Sequence, residues 1–411
     1  MNESFITSIT VNESRNIRNL DIPLSRERRQ HLILTGKNGS GKTSLLLELN
    51  KYLAQVDKGH SKDYSKNLNQ LKVYEKQLKE GTQNEPQKSQ LEKNIKNYKN
   101  WIANFGGTKI DFSNTDEEIS NKSTSGEFLL AFFDSKRHVN LIIPQGINKV
   151  NLKKKYGLGE KASSNFIQYI VNLKADRSFA RDDNETETVS KIDEWFERFE
   201  TRLKSIFNDE SLKLHFDRKA YNFNILTEKA SPFTFNTLSD GYSAIISIVS
   251  ELLLRMEAHE AKSYDLEGIV IIDEIETHLH VDLQKKILPF LTDFFPKLQF
   301  IITTHSPFIL SSVSNATICD LETRTITTDL SNYSYDALIE SYFKADKYSD
   351  EIKIKIIEFD RLTSLPKRTP EENNELRQLR NYFAHAPKYL SKELLVRLQQ
   401  IKLNELNKND N

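Results

Sequence analysis

Apolar positions along the chain follow distinct rhythms, and each rhythm predicts an element. Continuous apolar runs at His31–Thr35, Gly268–Ile272 and Gln299–Thr303 have the length and branched side chains of strands buried on both faces. Phe128–Asp134 has the same character, and Phe5–Leu24 reads as short strands punctuated by Pro23. Alternation over Ser211–Phe216 and Tyr221–Leu226 predicts a hairpin. Three- and four-residue spacing predicts helices at Ser44–Leu53, Asn165–Lys174, Ile192–Phe207 and Ala244–Met256. In the third of these, Ile192, Trp195, Phe196, Phe199, Leu203 and Ile206 share one face.

Between roughly 57 and 104 the composition turns to Lys, Gln, Asn and Glu with thin apolar spacing. Leu91, Ile95, Tyr98 and Ile102 follow one seam and Leu68, Leu71 and Leu78 another, with a turn at Gly81–Pro86 between them. The pattern suggests two antiparallel helices packed as a short coiled-coil hairpin; a solvated insertion is the alternative reading. From Tyr335 the pattern is helical and charged, interrupted by Pro366, Pro370 and Pro387. Strands alternating with helices around a glycine loop indicate an α/β core with a helical insertion and a helical C-terminal tail. The chain divides accordingly into a head segment 1–56, the hairpin 57–104, a mixed lobe 105–209, a second head segment 210–330 and the tail 331–411.

Composition narrows the class. The 411 residues are 37% hydrophobic and 28% charged, with 58 basic against 58 acidic side chains, so the balance offers no bulk attraction to nucleic acid or membrane. The single cysteine, Cys319, excludes an internal disulfide framework. The N-terminus shows no signal-peptide pattern, and no apolar stretch is long enough to span a bilayer. The expectation is a cytoplasmic globular protein.

The chemistry concentrates at a few segments. Gly36-Lys37-Asn38-Gly39-Ser40-Gly41-Lys42-Thr43 matches G-x-x-x-x-G-K-[ST] between a strand and the helix opening at Ser44. Its glycines let backbone N–H groups close around phosphates, Lys42 would reach the β- and γ-phosphates, and the Thr43 hydroxyl would ligate Mg²⁺. The apolar strand at 268–272 ends in Asp273-Glu274, where Asp273 would hold the magnesium and Glu274 would orient or deprotonate the attacking water; alone, it also reads as an ordinary strand end. Leu238-Ser239-Asp240-Gly241-Tyr242 opens an apolar helix and offers either a second anion site or a plain capped helix start. His305, in Thr304-His305-Ser306-Pro307 directly after a buried strand, would donate to a γ-phosphate or sit as a turn histidine. His278 and His280, beside Glu276, show no third metal ligand.

Taken together, these segments resemble the ABC ATPase superfamily, in the non-transporter branch related to SMC, RecF and OLD-type ATPases. GKNGSGKT looks like its Walker A, LSDGY its signature, IIDEIETHLH its Walker B with the D-loop, and TTHSP its switch-histidine loop. The resemblance implies an ABC-type P-loop head binding ATP and Mg²⁺, with two protomers sandwiching two nucleotides head to tail. Ser239 and Gly241 would then touch the γ-phosphate of the other protomer, and His305 would sense it in its own. Gln145 is a candidate Q-loop residue and Arg137 a candidate nucleotide-side residue. At a finer level Asp273–His280, Leu283-Gln284, Thr304–Phe308, Tyr333–Asp336 and Glu340–Phe343 are similar to the PtuA family, the ATPase subunits of Septu antiphage systems, retron-associated versions included; the AriA ATPases of PARIS systems share much of the pattern.

That resemblance implies a homo-oligomeric ATPase working with a separate nuclease of HNH or Toprim type. An SMC- or RecF-like repair clamp is the competing function, for which Lys149, Lys153, Lys154, Lys155 and Lys161 would contact nucleic acid or form a solvated face. The long span between Lys42 and Leu238 disfavours a transporter engine, and the tail shows neither a Toprim-like acidic cluster nor an HNH pattern.

Overall fold

The computed structural model describes residues 3–81, 84–137, 141–257, 265–335, 338 and 350–384. Residues 1–335 form one compact unit and residues 336–411 a second. Among the described residues the predicted helices and strands are present, several with longer bounds; Glu340–Phe343 and the tail beyond residue 384 lie outside them. The helix expected over Asn165–Lys174 runs Phe166–Asp182, and the one expected from Ile192 begins at Thr186. Polar end turns carry no apolar rhythm, which is why the pattern stops short of the last turns of the first helix and starts late in the second.

A six-stranded sheet organises the first unit in the order β12-β11-β3-β10-β9-β5. Its members are β3 (His31–Thr35), β5 (Phe128–Phe133), β9 (Glu267–Ile272), β10 (Leu298–Thr303), β11 (Ala316–Asp320) and β12 (Thr325–Thr328). All neighbours run parallel except the edge strand β12. The register pairs Leu34 with Thr303, Ile302 with Ile272, Ile272 with Phe133, and Thr35 with Asp320. Five strands therefore end at one level, and the segments leaving them meet along a single edge of the sheet.

Leu32, Leu34, Ile269, Ile271 and Ile301 bury one face of this sheet in a core shared with helix α1 (Lys42–Asp57) and an antiparallel sheet of β1 (Ile6–Ser14), β2 (Ile17–Pro23) and β4 (Thr108–Phe112). Alternate residues Ile33, Val270, Ile272, Phe300 and Ile302, equally buried, turn to the other face. Because β4 pairs with β1 and β5 with β9, the lobe drawn at 105–209 supplies strands to both sheets of the head. The hairpin 213–226 is present as β6 (Lys213–Asp217) and β7 (Asn222–Leu226).

The inserted segment forms helices α2 (Ser61–Glu80) and α3 (Glu85–Ala103), which pack on each other with Lys99 against Glu75 and Tyr74 beside Tyr98. Their shared seam is thin, with Leu71 and Ile95 buried, while their base is a dense aromatic cluster of Tyr52, Tyr64, Trp101 and Phe105. Within the second unit the described residues form two helices, Asp350–Ser364 and Pro370–Ala384, which bury Ile356, Phe359, Leu362, Leu376, Leu379 and Phe383 between them.

His31, the first residue of β3, is buried and accepts a hydrogen bond at Nδ1 from the Phe300 backbone N–H (3.1 Å). Burial, helped by the charge on Arg29, pushes its pKa from 6.5 down to about 4. The unfolded chain therefore binds the extra proton between those values, so stability is complete above about pH 6.5 and falls as the pH drops toward 4. The loss should approach about 3 kcal/mol. Denaturant unfolding at pH 7 and pH 4.5 checks this: His31→Asn, which does not titrate there, should show a markedly shallower decline than the wild type.

Candidate nucleotide site

The loop after β3 is shaped by glycine. Gly36, Gly39 and Gly41 have φ of 128°, 83° and 103°, a region costly for other residues. A Cβ on Gly41 would come within 2.9 Å of both the Asn16 and Ile17 side chains. Gly41 is also the N-cap of α1 and makes no side-chain cap, so the first-turn N–H groups are left facing the loop. Lys42 is buried and folds back to donate to the carbonyls of Gly36 (2.9 Å) and Lys37 (3.1 Å). Burial lowers its pKa, opposed by the carboxylates of Glu274, Glu276, Asp273 and Asp320. Lys37 pairs at the surface with Glu322 (2.8 Å), Ser40 Oγ is buried without a partner, and Asn38 is exposed.

Across the strand ends, Thr43 Oγ1 donates to Asp273 at 3.0 Å, an oxygen pair of the kind a hard divalent cation takes. Asp273 is buried, accepts from Thr303 Oγ1 (2.6 Å), and donates its own N–H to Phe133 O (2.8 Å). The same Thr303 hydroxyl accepts the Glu274 N–H at 2.6 Å. Glu274 has a positive φ of 45°, a conformation that needs support in a residue with a side chain. Arg137 supplies that support: buried beneath the acidic loop, it donates to the carbonyls of Asp273 (3.0 Å) and Glu274 (2.7 Å). The Glu274 carboxylate accepts from Thr277 Oγ1 (3.4 Å). His305 stands beside this group, its Nε2 buried without a partner and its pKa lowered by burial and by the charge on Lys42.

The structure thus brings Gly36–Ser44, Asp273, Glu274 and His305 to one sheet edge. Ser239, Asp240 and Gly241 lie elsewhere. They open helix α7 (Asp240–Glu257) and line a cavity of about 840 Å³ with His278, His280 and Lys286, to which no residue of the glycine loop contributes. Gly241 packs against the backbone of this second group: a Cβ there would meet His278 O at 2.9 Å. His280 is an exposed N-cap of α8 (Val281–Phe294), and among the described residues no cluster of metal-ligating side chains is present.

Arg137, a candidate nucleotide-side residue, is a strut for the acidic loop, bonded to its carbonyls. Gln145 is exposed in a loop, and in the lysine run Lys153 pairs with Glu160 and Lys155 with Asp57. Thr303 and Glu276 lie within the TTHSP and IIDEIETHLH segments, but only their places beside Asp273 and His305 show what their side chains hold.

Residues 32–311 match the family described as "AAA domain, putative AbiEii toxin, Type IV TA system". A Septu protein PtuA of Bacillus mycoides (strain KBAB4) is 26% identical over 331 residues, 78% of this chain and 40% of the relative. A Septu protein PtuA of Bacillus thuringiensis is 30% identical over 143 residues, 33% of this chain and 35% of the relative. A retron Ec83 probable ATPase of Escherichia coli is 36% identical over 84 residues, 20% of this chain and 16% of the relative. The chain spans well under half the length of these relatives. Among solved structures, the SMC head domain from Thermotoga maritima is similar with a TM-score of 0.34 and 10% identity, covering 76% of this chain and 94% of that one.

Thr303 is the shared partner of Asp273 and Glu274, and it is fully buried. Thr303→Val keeps the shape and strands the Glu274 N–H, at a cost of about 1–3 kcal/mol. Calorimetry should show a lowered thermal midpoint for Thr303→Val and near-complete recovery for Thr303→Ser.

Proposed function

The chain belongs to the AAA-domain family that its residues 32–311 match, with an ABC-type head, and on that footing we propose that it binds and hydrolyses ATP at composite sites between two copies. The observation that carries this reading is the separation just described: a phosphate loop with its two acids and histidine on one edge, and the Ser239–Gly241 segment in a cavity those residues do not share. A single copy carries both surfaces apart from each other, half of each of two composite sites. A head-to-tail pair completes both.

In this reading Lys42 and the α1 N-terminus hold the β- and γ-phosphates, and Thr43 with Asp273 would hold Mg²⁺, whose charge offsets that of the phosphates. Glu274 lies at the mouth of the sheet, orients the attacking water and takes its proton. His305 donates toward the terminal phosphate, where its lowered pKa leaves a neutral ring with one N–H to offer. Ser239 and the α7 N-terminus of the second copy close over that phosphate.

The further reading is that the chain is the ATPase subunit of an antiphage defence complex and gates a separate nuclease of HNH or Toprim type. It rests on the motifs shared with PtuA and on relatives bearing the names Septu protein PtuA and retron probable ATPase. The clamp alternative draws on the lysine run, two of whose members are occupied by acids.

Three substitutions test the site. Lys42→Ala should lose ATP binding. Glu274→Gln should bind ATP, lower turnover by at least roughly a hundredfold, and accumulate as a dimer by light scattering with ATP. Ser239→Arg should keep ATP binding and lose both turnover and the dimer. A well-folded monomer with full, concentration-independent turnover would sink the composite site.

A further inference from the structure

The turn carrying His305 is tied down at each residue. Thr303 Oγ1 donates to Asp273, Thr304 N to Leu34 O (3.0 Å), His305 N to Glu276 Oε1, and Ser306 Oγ to Gln284 Oε1 (2.7 Å). Of these bonds, the one at His305 itself goes to Glu276, an acid of the Asp273–Glu276 loop that the proposed mechanism does not use.

Glu276 is poorly placed to activate water. Its Oε2 is enclosed, the Thr304 hydroxyl lies against the carboxyl, and Oε1 is committed to the His305 backbone. Burial raises its pKa, opposed by the hydrogen bonds it accepts, so it holds its proton more tightly than an ordinary glutamate. Glu274 differs in its partner: its carboxylate meets the Thr277 hydroxyl of its own loop at 3.4 Å and makes no contact with the histidine turn among the described bonds. The two acids of one short loop therefore have separate tasks.

An anchor at the backbone N–H fixes the point from which the imidazole projects while leaving Nε2, which is buried without a partner among the described residues, unengaged. We propose that Glu276 is a positioning residue: its carboxyl fixes the backbone of His305 so that the ring stands where a terminal phosphate arrives. This rests on the ATPase reading above. The coupling also makes the geometry concerted. Glu274 and Glu276 belong to one loop clamped by Arg137, so the water-activating acid and the histidine turn take up their places together.

Steady-state ATP hydrolysis by the full chain tests this. E276A removes the acceptor and should lower kcat by about tenfold or more while leaving KM for ATP within about twofold. E276Q, whose amide oxygen accepts the same N–H, should retain most of the activity. If the carboxyl acts through the histidine, E276A/H305A should be no slower than the worse single variant. Should E276A not fold, Glu276→Leu removes the acceptor at similar volume. Wild-type kcat in E276A, an E276Q as slow as E276A, or losses that multiply in the double variant would each overturn the proposal. If H305A alone costs nothing, the role of the histidine fails first, and this proposal falls with it.

Discussion

Parallel pairing of β3, β10 and β9 sets the level at which three chain segments leave the sheet, and the proposed nucleotide site depends on that level. Leu34 stands opposite Thr303, and Ile302 opposite Ile272, so the glycine loop, the acidic pair and the histidine turn begin within one residue of each other. A slip of a single residue would turn Asp273 and Thr303 to opposite faces and break the hydroxyl–carboxylate bond between them. Burial on both faces fixes the register, because every residue of β10 is enclosed and any shift would leave gaps on either side.

Strain is accepted at this edge and held from below. Glu274 sits at positive φ, and the Arg137 guanidinium grips the carbonyls on either side of it. A comparable device serves α7. Glu251 and Arg255 form an enclosed ion pair; Glu251 accepts the N–H groups of Ala162 and Ser163, while Arg255 donates to Leu130 O and Gly157 O. Replacing such a pair with apolar residues often costs little stability, so its value here lies in holding the 156–163 segment, β5 and the helix in one arrangement.

The phosphate loop, the acidic strand end and the histidine turn were readable in the sequence because ligand chemistry dictates both residue type and spacing there. The aromatic face of Ile192–Phe207 was readable for a similar reason, since burial imposes a period. Arg137, Thr303 and Glu276 were visible as residues, Arg137 as a nucleotide-side candidate and the other two inside the quoted motifs, but their partners were not. A guanidinium binding carbonyls, a threonine at a strand end and a glutamate holding a distant backbone N–H have no local signature; each acquires its partner only when strands distant in sequence lie side by side. The hairpin was half readable, with Ile95 on its seam, but its real foundation in Tyr52, Tyr64, Trp101 and Phe105 draws on α1, outside the inserted segment.

That foundation has a mechanical consequence. Helix α1 begins at Lys42 and its last turns carry Tyr52, so one rod of 16 residues, about 24 Å long, has the phosphate loop at one end and the base of the hairpin near the other. Helices resist compression far more than loops do, and the interlocked rings leave little slack at the joint. A load applied to the hairpin must either dislodge those rings or be delivered along the rod to the glycines, the softest backbone in its path. The arm and the loop behave as the two ends of a push-rod, with the hairpin as its handle.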